Sequence, residues 1–378
     1  MIYLDHNATT PLHPKALEAM EPYLRGRWAN PSSPYRFGQE ARAAVDGARA
    51  RIADAVGCRP AELVFTSGGT EADNLALRGV RGGPIVTTAI EHHAVLNTCK
   101  ALESEGRRVT YVPVRPTGVV DMSALAENLT PETVLVSVMH ANNETGVLQP
   151  VEEIGRMARS RGILFHTDAV QTAGKLPGRL ADLGADLVSI SAHKLYGPKG
   201  IGALYVREGT SLHPILTGGP HERGLRAGTE DVAAIVGFAE AMALACEAAD
   251  AESRRLGELR DRFERRVTRG MGGVKINGAQ APRVPNTSSL SFQSVDGESI
   301  VLDLDLQGIC VSTGSACATG EPEPSHVLLA MGLSEREAQG TARVSLGKDT
   351  RPDDLDKAAE ALTRCVERLR RISSEVRI

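Results

Sequence analysis

Short β-favouring segments alternate with helix-length segments through the central part of the sequence, and this alternation leaves few architectures open. Strands that are joined through helices form right-handed crossovers, so the pattern predicts an α/β fold with a mainly parallel sheet. The predicted strands are 85–88, 109–114, 134–139, 163–166 and 187–190, and the predicted helices between them are 94–105, 123–129 and 151–161.

The remaining segments are consistent with one large α/β domain and a smaller domain. The 378 residues, 42% of them hydrophobic, are enough to fill two cores. The N-terminal arm, 1–14, is rich in small polar residues and is expected to form a turn. Further predicted helices are two within 15–56, broken at 28–34, then 231–249, 252–269, 297–306 and 352–372; further predicted strands are 63–66, 287–292 and 309–312, with a β-like segment at 341–346.

Composition excludes several classes of protein. The net charge of −4, with both signs interspersed, provides no basic face for a nucleic acid. The sequence shows no signal peptide and no obvious apolar run of membrane-spanning length, so we expect a cytoplasmic protein without a membrane partner. The six cysteines form no C-x-x-C pair, which argues against a structural zinc site and against a disulfide framework.

Polar side chains collect directly after the predicted strands. Residues 91–93 follow the first strand, residues 140–144 the third and residues 167–171 the fourth. Lys194 closes the segment after the last strand, and of the eight lysines it alone follows a β-rich apolar segment. Ligands of open α/β sheets bind at the carboxyl ends of the strands, so these residues are expected to form one site.

Three further segments are candidates for anion contacts. Residues 67–77 place glycines and Thr70 at a predicted helix start, where free amides favour a phosphate; an ordinary helix cap fits the local sequence equally well. The basic loop 218–229 is either a mobile surface loop or reaches an anion on a neighbouring subunit through its arginines and Thr229. Arg343 interrupts a β-like segment, where it either pairs with an acid or binds a carboxylate.

Cys317 differs from the other cysteines in its surroundings. It lies among small, polar, Pro- and Gly-rich residues at 312–325, where an exposed and reactive thiol is expected. Four cysteines in helix-like or turn segments are expected to be buried and inert: Cys58, Cys99, Cys246 and Cys365.

Together these residues meet the chemical requirements of pyridoxal phosphate. Its aldehyde requires a lysine such as Lys194 for a Schiff base, and its phosphate requires amides and hydroxyls. Its pyridinium nitrogen requires an acid, and Asp168 lies 26 residues before Lys194, enough for a crossover that brings two strands side by side. His92 is a histidine that can stack on the ring.

Eight motifs along the chain carry a resemblance to one family. They are Y-L-D-H-N-A-T-T-P at 3–11, T-S-G-G-T-E at 66–71, E-H at 91–92, N-N-E at 142–144, H-T-D-A-V-Q at 166–171, S-A-H-K at 191–194, R-A-G-T at 226–229 and S-T-G-S-A-C at 312–317. In this order they are highly specific, and the sequence resembles the NifS/IscS-type cysteine desulfurases of the class V aminotransferase family, with pyridoxal phosphate fold type I. The resemblance runs nearly end to end.

The resemblance implies a division into domains and a set of site residues. A large domain, 13–250, would hold a mainly parallel seven-stranded sheet between helices, and a smaller α+β domain, 1–12 with 251–378, would carry the cysteine loop. Lys194, Cys317 and His92 would be catalytic. Substrate would contact Asn143, Arg343 and Ala8. The implied cofactor contacts are Gly69, Thr70, His92, Asn143, Asp168 at the ring nitrogen, Gln171 at the phenolic oxygen, Ser191, His193, Lys194 and, from the partner subunit of a homodimer, Thr229.

The resemblance also implies a reaction. Lys194 would take the Cα proton of L-cysteine, and the Cys317 thiolate would attack the substrate sulfur, giving L-alanine and a persulfide on Cys317. The thiol would lose its proton to a base such as His92 or to the substrate. An acceptor protein, either an iron–sulfur scaffold or a thiolation carrier, would take the persulfide. No resident metal is expected, although Cys317 would be available as a transient iron–sulfur ligand.

Three other interpretations stay open at this point. An aminotransferase or lyase of the same fold would turn over without Cys317. Selenocysteine lyase activity would accompany the main reaction as a side activity. A non-catalytic sulfur carrier or assembly scaffold would lack a bound chromophore, and the presence of Lys194, Asp168 and His92 together argues against it.

Overall fold

The computed structural model describes residues 1–313 and 324–375. Over these residues the strands are β1 (Ile2–Tyr3), β2 (Leu63–Thr66), β3 (Ile85–Thr88), β4 (Val109–Val112), β5 (Leu135–Ser137), β6 (Leu164–Asp168), β7 (Leu187–Ser191), β8 (Gly202–Val206), β9 (Val274–Ile276), β10 (Thr287–Phe292), β11 (Ile309–Cys310), β12 (Ser312–Thr313) and β13 (Thr341–Ser345). The helices are α1 (Pro14–Arg25), α2 (Arg36–Val56), α3 (Gly69–Gly79), α4 (His93–Ser104), α5 (Met122–Asn128), α6 (Val151–Ser160), α7 (Val232–Gly270), α8 (Gly297–Leu306), α9 (His326–Ala330), α10 (Glu335–Gln339) and α11 (Pro352–Glu375).

Seven of these strands form one sheet, in the order β2-β8-β7-β6-β5-β3-β4. The strands from β3 to β7 pair in parallel, whereas β8 runs antiparallel to both of its neighbours. The predicted mainly parallel sheet is therefore confirmed. The pattern misses β8, because this strand follows directly on the Gly/Pro loop 196–200 and itself begins with Gly202.

Helices cover both faces of the seven-stranded sheet. Successive side chains of a strand point to opposite faces, so neighbouring apolar residues feed two different cores. Val188 packs in the core that contains α1, α2, α6 and the first half of α7, whereas Leu187 packs in the core that contains α3 and α4. This two-sided burial explains why the strands are continuous apolar runs in the sequence.

The C-terminal part of the chain builds a separate core. Strands β12, β13, β10 and β9 form an antiparallel sheet, and Phe263 of α7, Phe292 of β10 and Leu362 of α11 pack together beside it. The N-terminal arm joins this core, because β1 pairs in parallel with β11 and Leu4 is buried. The predicted turn is present at 6–8, whereas the expectation that the arm is too polar to contribute a core strand is wrong: apolar residues at 2–4 precede its polar stretch and bury the start of the arm.

Helix α7 corrects two expectations. It is one continuous helix of 39 residues instead of two, since the intervening A-D-A-E at 249–252 contains no residue that stops a helix. Its first half is also long and apolar enough to cross a membrane by composition, which contradicts the absence of such a run. That window is 56% buried, and it packs against α1 and α2 as a core helix does. The predicted domain boundary at 250/251 falls inside α7, and the division into domains stays a prediction.

Candidate active site

A cavity of about 270 Å³ lies where β3, β5, β6 and β7 reach their carboxyl ends. It is lined by Ala8, Gly69, Thr70, His92, Asn143, Asp168, Gln171, Ser191, His193, Lys194 and Arg343. Two of the predicted site residues are not among those lining it. Thr229 is exposed, and Cys317 lies outside the described residues. The structure thus brings together residues that are up to 335 positions apart in the sequence.

Lys194 enters the cavity from a single 3₁₀ turn, Ala192–Lys194, directly after β7. Its Nζ donates hydrogen bonds to the main-chain carbonyl oxygens of Asn7 at 2.5 Å and Ala8 at 2.8 Å. The half-buried amine is therefore held between the end of the large sheet and the N-terminal arm.

Asp168 is the last residue of β6, and β6 lies beside β7 in parallel, as the 26-residue spacing predicts. Its Oδ1 accepts a hydrogen bond from the Val170 N–H at 2.8 Å. Burial raises the pKa of Asp168 to about 6, while that N–H and the Lys194 charge act in the opposite direction. A buried carboxyl of this kind gains stability when a cationic donor reaches its outer oxygen.

A second carboxyl, Asp73, lies against the same cavity and was not anticipated. It is on α3, it is fully buried, and its Oδ1 has no hydrogen-bond partner among the described residues. Burial, and then the charge of Asp168, raises the pKa of Asp73 well above its usual range. Burial and the neighbouring charge of Asp168 therefore both favour the protonated form of Asp73.

The amino end of α3 faces the same cavity. Gly68 precedes the helix with φ +152°, a conformation that side chains rarely allow, and Thr70 lies in its first turn. The Ser191 Oγ points towards Gly68 and is buried without a hydrogen-bond partner among the described residues. Free amides at a helix start beside an unpaired hydroxyl are the components of an anion site. His193 lies next to them, with Nδ1 3.1 Å from the Thr9 hydroxyl.

His92 caps α4 and projects its ring into the cavity. Its Nδ1 accepts a hydrogen bond from the Ala94 N–H at 3.1 Å. Burial, followed by the charge of Lys194, lowers the pKa of His92 to about 4. The imidazole is therefore neutral near pH 7, and because Nδ1 is an acceptor, the ring proton is on Nε2.

Arg343 forms the opposite wall, together with residues of the N-terminal arm. Its Nη2 donates to the Asp5 carboxylate at 2.7 Å and its Nη1 to the Asn143 main-chain oxygen at 3.1 Å. The Nε is buried and has no partner among the described residues. Of the two roles that the sequence left open for Arg343, pairing with an acid is confirmed. The unpaired Nε leaves donor capacity for a carboxylate in the cavity.

Other residues around the cavity carry no clear sequence signal. Glu91 is fully buried, accepts a hydrogen bond from the Met139 N–H at 3.0 Å and has a pKa raised to about 8, chiefly by burial. Glu144 accepts a hydrogen bond from the Ser325 hydroxyl and has a pKa raised to about 7, again by burial. Both residues lie inside segments that the sequence predicts to follow strands, 91–93 and 140–144. The sequence does not indicate that their side chains are buried.

The cysteines that were expected to be inert have raised thiol pKa values. Burial is the largest cause in each case, and the pKa rises to about 12 for Cys58, Cys99 and Cys365. Burial raises the pKa of Cys246 as well. Thiols of this kind are not nucleophiles near pH 7.

Comparison with known proteins agrees with this geometry. The family model described as aminotransferase class-V matches residues 2–358. A cysteine desulfurase IscS from Dictyoglomus turgidum is 48% identical over 378 residues, which cover 98% of this chain and 96% of that protein.

Solved structures give the same result. A NifS-like protein superposes with a TM-score of 0.90 at 38% identity, covering 97% of this chain and 99% of that one. The structure described as SspA in complex with cysteine superposes with a TM-score of 0.80 at 37% identity, covering 92% and 99%. The chain therefore belongs to the class V aminotransferase family. Within that family its relatives are the IscS and NifS cysteine desulfurases, and the resemblance seen in the sequence is confirmed.

Proposed function

We propose that this enzyme uses pyridoxal phosphate at Lys194 to remove sulfur from L-cysteine, releasing L-alanine and collecting the sulfur as a persulfide on Cys317. One observation carries the proposal. A lysine amine, a buried carboxyl, and a helix start with an unpaired hydroxyl converge on one cavity of about 270 Å³. These are the three kinds of group that the cofactor's aldehyde, ring nitrogen and phosphate require.

The residues fit the cofactor on structural grounds. Lys194 would hold its aldehyde carbon and Asp168 its ring nitrogen, while Ser191, Thr70 and His193 would hold its phosphate. The buried hydroxyl of Ser191 lacks a partner in the protein, and burying such a group without one is costly. A phosphate oxygen would satisfy it. When bound, pyridoxal phosphate supplies an electron sink for the Cα of the amino acid.

Lys194 is placed to move the Cα proton. Its amine is fixed by the carbonyl oxygens of Asn7 and Ala8, which also stabilise the ammonium after it has taken a proton. Arg343 and Asn143 on the opposite wall would orient the substrate carboxylate. The substrate is then held at its carboxylate, so that Cα faces the lysine.

His92 would lie against the cofactor ring as a neutral imidazole. Because Nδ1 accepts from the Ala94 N–H, the ring proton lies on Nε2, and neither ring nitrogen is then free to take a proton from a thiol. Of the two routes to a Cys317 thiolate that the sequence leaves open, this geometry favours loss of the proton to the substrate.

The sulfur transfer step balances without a further reactant. The Cys317 thiolate attacks the substrate Sγ, a new S–S bond forms and the substrate Cβ–Sγ bond breaks. The electron pair of that bond passes to the carbon skeleton, which takes up protons and leaves as alanine. Cys317 is left as a persulfide, which thiolate attack by an acceptor can remove.

We propose a homodimer in which Thr229 completes the partner's phosphate site. Support comes from its exposure and from its position outside the cavity of its own chain. The persulfide acceptor is proposed to be an iron–sulfur scaffold or a thiolation carrier. The relatives' name, IscS, and the known complex of SspA with cysteine support sulfur delivery and cysteine as substrate.

The test is to measure sulfide and alanine released from L-cysteine in the presence of a reductant, together with the visible spectrum. Wild type is compared with Cys317→Ala and with Cys310→Ala, a matched control seven positions earlier. We expect Cys317→Ala to keep the cofactor colour and lose sulfide release, and Cys310→Ala to behave as wild type. Equal turnover by Cys317→Ala would favour an aminotransferase or lyase, and a colourless wild type would favour a non-catalytic carrier.

A further inference from the structure

A second lysine lies close to the candidate active site and has no role in the function proposed above. Lys175 follows β6 by seven residues, within the turn that begins the crossover between β6 and β7. Its Nζ donates a hydrogen bond to the side-chain Oε1 of Gln171 at 2.9 Å. It lines a neighbouring cavity of about 470 Å³, and Lys194 lines both cavities.

Gln171 is buried between two neighbours that dictate the direction of its amide group. The Lys175 Nζ donates to Gln171 Oε1, so the amide oxygen faces the lysine and the NH₂ group faces away from it. On the other side the Gln171 Nε2 donates to the main-chain oxygen of Asn7 at 3.1 Å, and a carbonyl oxygen only accepts. Both neighbours therefore require the same orientation.

In this orientation Gln171 keeps a second N–H available for the cavity that it lines. The Gln171 NH₂ group has two hydrogens, and the Asn7 carbonyl uses one of them. Gln171 lines the cavity beside Lys194, whose Nζ shares the same Asn7 carbonyl. Without Lys175 this orientation would depend on the Asn7 carbonyl alone, an acceptor that Lys194 also uses, and would be held less firmly.

We propose that Lys175 is a positioning residue: it fixes the amide of Gln171 so that an N–H, and not an oxygen, meets the phenolic oxygen of the cofactor. This inference rests on the proposed use of pyridoxal phosphate. Lys175 would then act without touching the substrate, because its amine reaches the active site only through Gln171.

The electrostatic setting is consistent with a functional position. Burial, and then the charges of Lys194 and Arg343, lowers the pKa of Lys175 to about 7. Burying an amine beside two other cations costs free energy, and perturbed groups of this kind concentrate at functional sites. If Lys175 served stability alone, the folded protein would be more stable with an apolar side chain of similar length at this position.

The experiment compares Lys175→Met with Lys348→Met as a matched control. Lys348 lines the same 470 Å³ cavity, but its Nζ pairs with Asp349 and does not contact Gln171. Two quantities are measured besides turnover: the affinity of the apoprotein for pyridoxal phosphate, and the pH at which the visible absorption of the bound cofactor shifts. Thermal unfolding of each apoprotein reports any loss of stability.

We expect Lys175→Met to weaken cofactor binding by about 3- to 10-fold, the effect of one hydrogen bond. The absorption shift should move to higher pH by about half to one unit, because a phenolic oxygen without its donor holds the adjacent proton more tightly. Lys175→Arg, which keeps the donor, should restore both values. Lys348→Met should leave both unchanged.

Loss of the Lys175 charge would by itself raise the pH of the shift, so the decisive measurement is the double variant. In a Gln171→Met background the change Lys175→Met should leave the affinity for pyridoxal phosphate unchanged, and the remaining change in the pH of the absorption shift then measures the charge effect alone. A full effect in that background would overturn the proposal, as would wild-type values in the single variant. These outcomes differ from failure of the proposed function, in which wild type itself would bind no cofactor and release no sulfide.

Discussion

The two walls of the active site come from different parts of the chain and are held in different ways. On one wall Asp168 and Ser191 are the last residues of β6 and β7, and His92 lies in the loop that follows β3. The register of the large sheet therefore positions all three residues. On the other wall the N-terminal arm meets β13. There Asp5 and Arg343, 338 positions apart, form a salt bridge of 2.7 Å.

This difference separates two kinds of dependence. Pairing between neighbouring strands positions the sheet wall, which would hold the cofactor. Substitutions on this wall should therefore lower the rate of the chemical step, kcat. The terminal wall is set by closure of two distant segments and would hold the substrate carboxylate. Substitutions on the terminal wall should therefore weaken substrate binding and raise KM.

The largest expected effect is on the sheet wall. Asp168→Asn replaces the carboxyl whose charge would keep the cofactor's ring nitrogen protonated, so kcat for sulfide release should fall by about 100- to 1000-fold. The measurement is steady-state kinetics, with the cofactor content determined from the visible spectrum. If kcat stayed within twofold of wild type at full cofactor occupancy, Asp168 would not act on the ring.

On the terminal wall Asp5→Asn should raise KM for L-cysteine by about 10-fold and change kcat much less. The amide keeps one hydrogen bond to Arg343 but loses the charge that orients the guanidinium. Asp349→Asn, an exposed carboxylate paired with Lys348, is the matched control and should leave KM unchanged. A fall in kcat at constant KM would contradict the assignment of this wall to substrate binding.

Glu91, beneath the sheet wall, should make stability depend on pH. Its folded-state pKa of about 8 lies above the usual value, so the folded protein holds a proton that the unfolded chain releases near pH 4.5. Stability should therefore fall as pH rises from about 5 to 8, by roughly 1 to 3 kcal/mol. Glu91→Gln should flatten this slope, measured by urea unfolding at several pH values, and the exposed control Glu127→Gln should not.

The smallest effect is expected at Gly69, the first residue of α3. A Cβ at this position would lie 2.8 Å from Cγ2 of Val170, a β-branched side chain with little freedom to move. Gly69→Ala should cost about 1 kcal/mol of unfolding free energy. Gly106→Ala is unsuitable as a control because of its positive φ, whereas Gly47→Ala, in open space on α2, should cost nothing. Equal unfolding free energies for Gly69→Ala and wild type would show that Val170 moves aside.

The sheet wall was open to prediction from the sequence, because strand periodicity and the polar residues after each strand carry local information. The terminal wall was not. Nothing near Asp5 or Arg343 in the sequence shows that they meet; the local sequence offered Arg343 only as a partner for an acid or a carboxylate, and the family resemblance alone implied that Ala8 contacts substrate.

Burial was the other quantity that the sequence did not reveal. Lys175 has the surroundings of a solvated loop lysine, and its contact with Gln171 depends on how the turn after β6 folds back. Strand β8 and the continuity of α7 were missed for a related reason. Glycines near a strand normally indicate a loop, and a short polar stretch normally indicates the end of a helix. The local sequence does not show that tertiary packing outweighs these preferences in β8 and α7.

Helix α7 has a mechanical consequence for the enzyme. At 1.5 Å per residue its 39 residues make a rod about 58 Å long, with one half embedded in each core. A continuous helix without proline bends less readily than a loop, so hinge motion between the two cores is restricted at this connection. Closure around a substrate must then come from bending of the whole rod, from sliding of packed layers, or from the arm at the chain's beginning. A stiff helix between the two cores limits changes in the position of Arg343 relative to Lys194.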